Sequence, residues 1–280
     1  MKSIIVTGAS SGIGKAAVIR LVQSGYQVFG LSRRYDQLLA LSSELSSYNL
    51  KDDQYFPAIF DITRYDKFEE VLNNILSNSS EKTIFGLVNN AGYVEPGAIE
   101  DITIENLKAQ FETNFFGLVE FTKKVLPLMM QRKEGRIINV SSLSGLISLP
   151  LIGAYSATKH ALEAISDALR MELWNTNIKV ININPGVVET DIYRVIRLKL
   201  AIIEKDKKSR FSNAYNKYLN NIPSGLSAKI VANVIDQAIR SSTPKHRYII
   251  GSSKEKLALR LRPFIPNKLF YSQVAKRILS

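Results

Sequence analysis

The chain has 280 residues, 37 Lys and Arg against 25 Asp and Glu for a net charge of +12, and 45% hydrophobic residues. It contains no Cys, which excludes a disulfide scaffold, a thiolate nucleophile, a Cys-based zinc site and iron–sulfur ligation. With only His160 and His246 as further soft ligands no metal site is expected, and 15 Gly and 9 Pro exclude a collagen-like or wholly disordered chain.

Such a chain forms one compact domain or two small ones around a large core. The N-terminus reaches its first glycine turn too soon for a secretory signal, and no long uncharged apolar run follows, so the sequence reads as cytoplasmic. Ile4 to Val6 is a short apolar run broken at Thr7-Gly8, after which Ile13, Ala16, Ala17 and Leu21 recur at helical spacing. Val28 to Leu31 is a second strand, followed by a helix at Tyr35 to Leu45, and Tyr55 to Phe60 is a third that ends before Asp61. Ile84 to Val88, Arg136 to Val140 and Val180 to Ile183 continue the series, with helix-rich segments at Ile104 to Met130 and roughly Ala157 to Leu173. Strands this apolar read as buried on both faces. The alternation predicts an α/β fold, a doubly wound parallel sheet with helices on both faces, whose ligands collect at the carboxyl ends of the strands.

The polar and glycine-rich motifs sit at those ends. In Thr7 to Gly14, three glycines let the backbone turn sharply and approach a ligand, and the unpaired amides opening the next helix favour a pyrophosphate. Such a string also serves as an ordinary turn or cap; its place directly after the first strand favours the ligand. The second strand ends at Ser32-Arg33-Arg34, with no carboxylate for ribose hydroxyls. A guanidinium there pairs with a 2′-phosphate, so NADP(H) is preferred over NAD(H), the bland alternative being two solvated charges. Asp61 serves equally as an acceptor for an adenine amino group or, in Asp61-Ile62-Thr63, as a helix cap for the next segment.

Tyr155 and Lys159 are four residues apart, one helical turn, and Ser142 stands at the end of an upstream strand. Singly they read as a packing tyrosine, a surface lysine and a turn serine. Together they supply what hydride transfer to a ketone needs: a proton donor, a hydrogen bond to the developing alkoxide and a cation that eases the proton transfer.

TGASSGIG at Thr7 to Gly14, NNAG at Asn89 to Gly92, YSATK at Tyr155 to Lys159, Ser142 and Asn184-Pro185-Gly186 together resemble the short-chain dehydrogenase/reductase family. The resemblance covers residues 1 to 190 well and 227 to 240 loosely, and is greatest toward the hydroxysteroid and retinol dehydrogenase branch. It implies a Rossmann fold in which Tyr155 is the general acid or base, Lys159 holds the nicotinamide ribose and Ser142 positions substrate. Asn114 matches the asparagine that distorts a long helix and holds a relay water, though an interior Asn also bends a helix by local bonding alone. The cofactor residues it implies are Gly8, Ser10, Ser11, Gly12, Ile13, Gly14, Ser32, Arg33, Arg34, Asp61, Ile62, Asn90, Ala91, Gly92, Tyr155, Lys159, Pro185, Gly186, Val188 and Thr190. Assembly into a homo-oligomer is common in the family.

Residues 1–190 are thus read as the dinucleotide-binding and catalytic core. Residues 191–225, with Tyr193, Val195, Ile196, Leu198, Leu200, Ile202 and Ile203 among charges, form an inserted lid. Residues 226–252 return to the core, and 253–280 form a basic, apolar C-terminal extension that Pro263 and Pro266 divide in two. An apolar lid implies a hydrophobic ketone, aldehyde or alcohol that is steroid-like, retinoid-like or lipid-like. The runner-up readings are a 3-oxoacyl thioester reductase and a noncatalytic dinucleotide-sensing or nucleic-acid-associated protein, although no basic block or base-reading motif supports nucleic acid. The extension leaves peripheral membrane contact open beside a substrate wall or a subunit contact.

Overall fold

Strands of five or six mostly apolar residues can be buried only between two layers of helices, and the sequence supplies both. A computed structural model describes residues 1–48, 53–190, 192–205, 209–220 and 225–279. Asp191 and the Tyr193 side chain, both part of the predicted lid, lie outside the described residues. Seven parallel strands form one sheet in the order β3-β2-β1-β4-β5-β6-β9. They are β1 (Ser3–Thr7), β2 (Gln27–Ser32), β3 (Tyr55–Ile59), β4 (Gly86–Asn89), β5 (Gly135–Val140), β6 (Ile178–Pro185) and β9 (Arg247–Ile250). β7 (Val188–Glu189) and β8 (Leu226–Ser227) pair separately.

Successive strand residues point to opposite faces, and the two cores divide accordingly. Ile4, Val6, Val88, Ile138 and Val140 join one cluster with α1 (Gly12–Gln23), α2 (Tyr35–Ser46) and α9 (Ala228–Arg240). Ile5, Leu87, Ile137 and Val180 join the other with α3 (Phe68–Asn78) and Phe121, Val125 and Met129 of α5 (Gly117–Arg132). Each fully buried Ile or Leu contributes about 1.5–3 kcal/mol. The edge strand β3 departs from the expectation of burial on both faces: Ile59 is 63% exposed, in a strand that pairs on one side only among the described residues.

The predicted helix Ile104 to Met130 is three pieces: α4 (Ile104–Phe111), a π-helical turn over Glu112–Phe116, and α5. α6 spans Gly153–Glu172, four residues earlier than expected, which puts Tyr155 on its first turn. α7 (Ile192–Lys205) and α8 (Ser212–Asn220) have a small core of their own, in which Ile196, Leu200, Ala214 and Tyr215 pack on Val94, Ala98 and Leu151. The C-terminal extension is the two-part tail that its prolines predict. α10 (Ser253–Leu261) passes through a short turn into α11 (Asn267–Leu279), whose Ile278 and Leu279 join the same small core. β1 lies between β2 and β4, so the chain reverses direction across the sheet there and opens a crevice at the carboxyl ends.

Candidate active site

At the end of β1 the chain turns through Gly8 (φ +67°) and Gly12 (φ +54°), left-handed conformations that a side chain disfavours. A Cβ on Gly14 would stand 2.6 Å from Asn90 Nδ2 and collide with the Gly8 carbonyl, so Gly14 lets α1 close on the turn and does not itself line the cavity. Thr7 Oγ1 accepts from the backbone N–H of Asn90 and of Ala91, both at 3.0 Å, and Asn90 Nδ2 donates to Thr7 O at 2.9 Å. The Asn89 to Gly92 segment therefore clamps the glycine turn as well as bordering the crevice. Ser11, the N-cap of α1, makes no side-chain cap and no acid occupies the first turn. The orphan amides and the positive helix end remain for an anion.

The end of β2 suits a second phosphate. Arg34 lies over the turn, Nε donating to Ser10 Oγ at 3.1 Å and Nη2 to Ser11 Oγ at 2.7 Å, while Ser32 Oγ donates to Ser10 Oγ at 2.8 Å. The Arg33 side chain is 72% exposed and reaches Asp61 at 4.0 Å. Asp61 turns its other oxygen to Thr63, accepting from its backbone N–H at 3.0 Å and its hydroxyl at 2.8 Å; this closes a turn, whereas the next helical turn, Tyr65–Lys67, has Arg64 as its N-cap, so Asp61 does not cap it and still borders the cavity.

Three elements converge on the reactive end. Tyr155, on the first turn of α6, shares a hydrogen bond with Ser142 at the end of β5, and burial pushes its phenol up to about 12 while that bond pulls it down. Ser142 Oγ also accepts from Ser144 N at 3.0 Å, capping the turn Leu143–Gly145. Lys159 Nζ donates to Val140 O at 2.7 Å and lies 5.7 Å from the Tyr155 ring centroid. Burial pushes its ammonium down to about 8, against the pull of Glu163.

Glu163 is a residue that the sequence reading missed. One turn beyond Lys159, it accepts from Asn182 Nδ2 and Asn184 Nδ2, each at 2.7 Å, and from Arg247 Nη2 at 2.7 Å, and Asn184 also donates to Ser142 O at 3.0 Å. The i+4 series Tyr155, Lys159, Glu163 was the available signal. Asn114, in the π turn, is fully buried and does not border the cavity that Tyr155 and Lys159 line; Nδ2 donates to Tyr93 O at 2.9 Å and Thr158 Oγ1 at 3.2 Å, and Oδ1 accepts from Tyr93 N at 3.0 Å.

Apart from Gly14, every cofactor residue expected from the sequence borders one cavity of about 1110 Å³, which Ser142 also borders. The glycine turn and the arginines stand at one part of it. Leu143, Ile147, Leu149, Ile152, Val195 and Ile196 supply an apolar wall elsewhere, completed by Ala258, Leu259 and Ile278 of the tail. Open amides at α1, a glycine cradle and a guanidinium beside Ser10 and Ser11 fit the phosphates of a dinucleotide.

Residues 2–201 match the family described as short chain dehydrogenase. A probable short-chain type dehydrogenase/reductase, VdlC, of Helicobacter pylori is 36% identical, covering 96% of this chain and 94% of its own length. The NADPH-dependent 3-dehydrocapnine reductase of Ornithobacterium rhinotracheale is 32% identical over 99% of this chain and 98% of its own. The solved structure of the closed form of a serine dehydrogenase with NADP+ superposes with a TM-score of 0.74 at 28% identity, covering 89% of this chain and 94% of that one.

Proposed function

The chain belongs to the short-chain dehydrogenase family and is an NADP(H)-dependent oxidoreductase, and from that premise we propose that it interconverts a hydrophobic ketone or aldehyde with its alcohol, with Tyr155 as general acid and base. The observation that carries this reading is the meeting of Tyr155, Ser142 and Lys159 in the same cavity as an apolar wall. NADPH, when bound, supplies the hydride that forms the new C–H bond at the carbonyl carbon. As the C=O π bond breaks, the Tyr155 hydroxyl gives its proton to the oxygen, and Ser142 donates a hydrogen bond to the same atom. The Lys159 ammonium favours the phenolate that Tyr155 becomes, offsetting burial, and holds the ribose. Asn114, tying the π turn to Tyr93 and Thr158, fixes the relay side of α6.

The substrate class rests on the wall. Its aliphatic side chains and the extra helices α7, α8, α10 and α11 suit a steroid-like, retinoid-like or lipid-like molecule, and α7 with α8 acts as the lid. The full-length similarity to a 3-dehydrocapnine reductase supports reduction as the working direction. The tail supports a peripheral contact with an anionic membrane: Leu257, Leu261, Phe264, Leu269 and Tyr271 are exposed beside Lys254, Lys256, Arg260 and Lys268. Exposed Phe116 of the π turn, Met130 of α5 and Ile165 and Met171 of α6 support a homo-oligomer.

A panel of hydrophobic ketones, retinals and 3-oxoacyl thioesters with NADPH and NADH separates these substrates from the thioester alternative. On the best of them Tyr155→Phe should lower turnover by about 10²–10⁴-fold with NADPH still bound. Full turnover by that variant would remove the mechanism.

A further inference from the structure

One charged pair in the cavity has no part in the hydride transfer. Glu95, just beyond Gly92, and Lys199 on α7 form an ion pair that borders the cavity; the Glu95 side chain is 7% exposed and that of Lys199 35%. The other Glu95 oxygen accepts from Asn106 Nδ2 at 3.3 Å, and the Lys199 ammonium lies 5.3 Å from the Tyr93 ring centroid. Carboxylate and aromatic face together make a cup for a cation, with Asn106 orienting the carboxylate.

The pair is poorly explained as a fastening for α7. An ion pair with one buried and one part-exposed partner gains little over a hydrophobic contact of the same size. The excursion is already fastened to the same loop by Tyr215, which accepts from Ala98 N at 2.7 Å and bonds Asp101, by Ser209 on Asp101 at 2.6 Å and by Arg210 on Glu100. The other cavity acids are engaged elsewhere: Asp61 in its own turn, Glu112 with Tyr65, Glu255 in the capping box of α10. In the pair, the carboxylate is buried on a loop anchored through Tyr93 to Asn114, whereas the ammonium arrives on a long, more exposed and displaceable stem.

We propose that Glu95 binds the ammonium group of an amphiphilic amino ketone, and that the Lys199 ammonium occupies that cup until the substrate enters. The proposal rests on the reading of the protein as a hydrophobic-carbonyl reductase and narrows its substrate to one that also carries an amine. Exchange of one ammonium for another leaves the buried charge balance unchanged, which is why the exchange is affordable in an apolar cavity.

The test is calorimetric binding, so it does not wait on turnover. The NADP+-loaded full chain is titrated with 2-aminododecan-3-ol, its N-acetyl derivative and dodecan-3-ol. The amino alcohol should bind about tenfold or more tightly than the other two. Glu95→Gln should erase that difference, and Lys199→Met, which removes the competitor, should tighten the amino alcohol several-fold while leaving the neutral ligands unchanged, with thermal unfolding monitoring the fold of each variant. Equal affinities for the three ligands, or weaker amino alcohol binding by Lys199→Met, would overturn the amine site alone. No binding by any of them would overturn the hydrophobic-carbonyl reading along with it.

Discussion

Burial moves the two titrating groups of the site in opposite directions, the phenol of Tyr155 up to about 12 and the ammonium of Lys159 down to about 8. Lys159 is therefore charged below pH 8 and loses its proton above it, and only the charged form favours the proposed phenolate. The kcat/KM of carbonyl reduction should be level below about pH 8 and fall above it, and Glu163→Gln, which removes the carboxylate supporting that charge, should move the break to lower pH; a pH–rate profile of each protein checks this. The stability contribution of Lys159 has the reverse slope. Between about 8 and the model-peptide value near 10.5 the unfolded chain holds more protons, so the fold gains stability from this group as pH rises through that window. At the other end of the cavity Arg33→Glu should erase or invert the preference for NADPH over NADH in a direct titration, because it sets a carboxylate beside Ser32. Tyr155, Lys159 and Ser142 were legible from residue type and spacing, and Glu163 was not, since its role depends on Asn182, Asn184 and Arg247 arriving from two other strands.

Elements were read well where the pattern is strong and short-ranged. The strands carrying the site begin and end within a few residues of their apolar runs, and the glycine turn lies where a strand meets a helix. The start of α6 was misplaced because its N-cap, Ile152, makes no side-chain cap and carries none of the residues that mark a helix start. The π turn over Glu112–Phe116 falls at Asn114, whose place inside a helix signals a distortion; the buried side chain bonds Tyr93, and Gly117 passes close against the Ile62 carbonyl. Close passage also makes α1 vulnerable. Gly14→Ala should cost about 1–3 kcal/mol in denaturant unfolding and weaken NADPH binding, because its methyl would force α1 away from Gly8 and Asn90.

At the scale of the whole molecule, the tail is the least conventional part. Truncation after Gly251 removes Ala258, Leu259 and Ile278 from the cavity wall together with the exposed basic and apolar residues of α10 and α11. It should raise KM for hydrophobic ketones about tenfold and abolish sedimentation with anionic vesicles. A truncated chain with unaltered KM and vesicle binding would show that the tail forms neither wall nor membrane face.

The sequence by itself determined the parallel sheet, the glycine turn and the one-turn spacing of Tyr155 and Lys159. Each depends on local demands: alternation of apolar side chains, backbone angles open to glycine, and two side chains one helical turn apart. Only the tertiary structure decided which side chains border one cavity, since Glu95, Ile147, Lys199 and Ile278 come from four distant stretches of chain. No periodicity along a chain specifies which remote faces will share a cavity; that follows from how helices pack once the sheet has set their places.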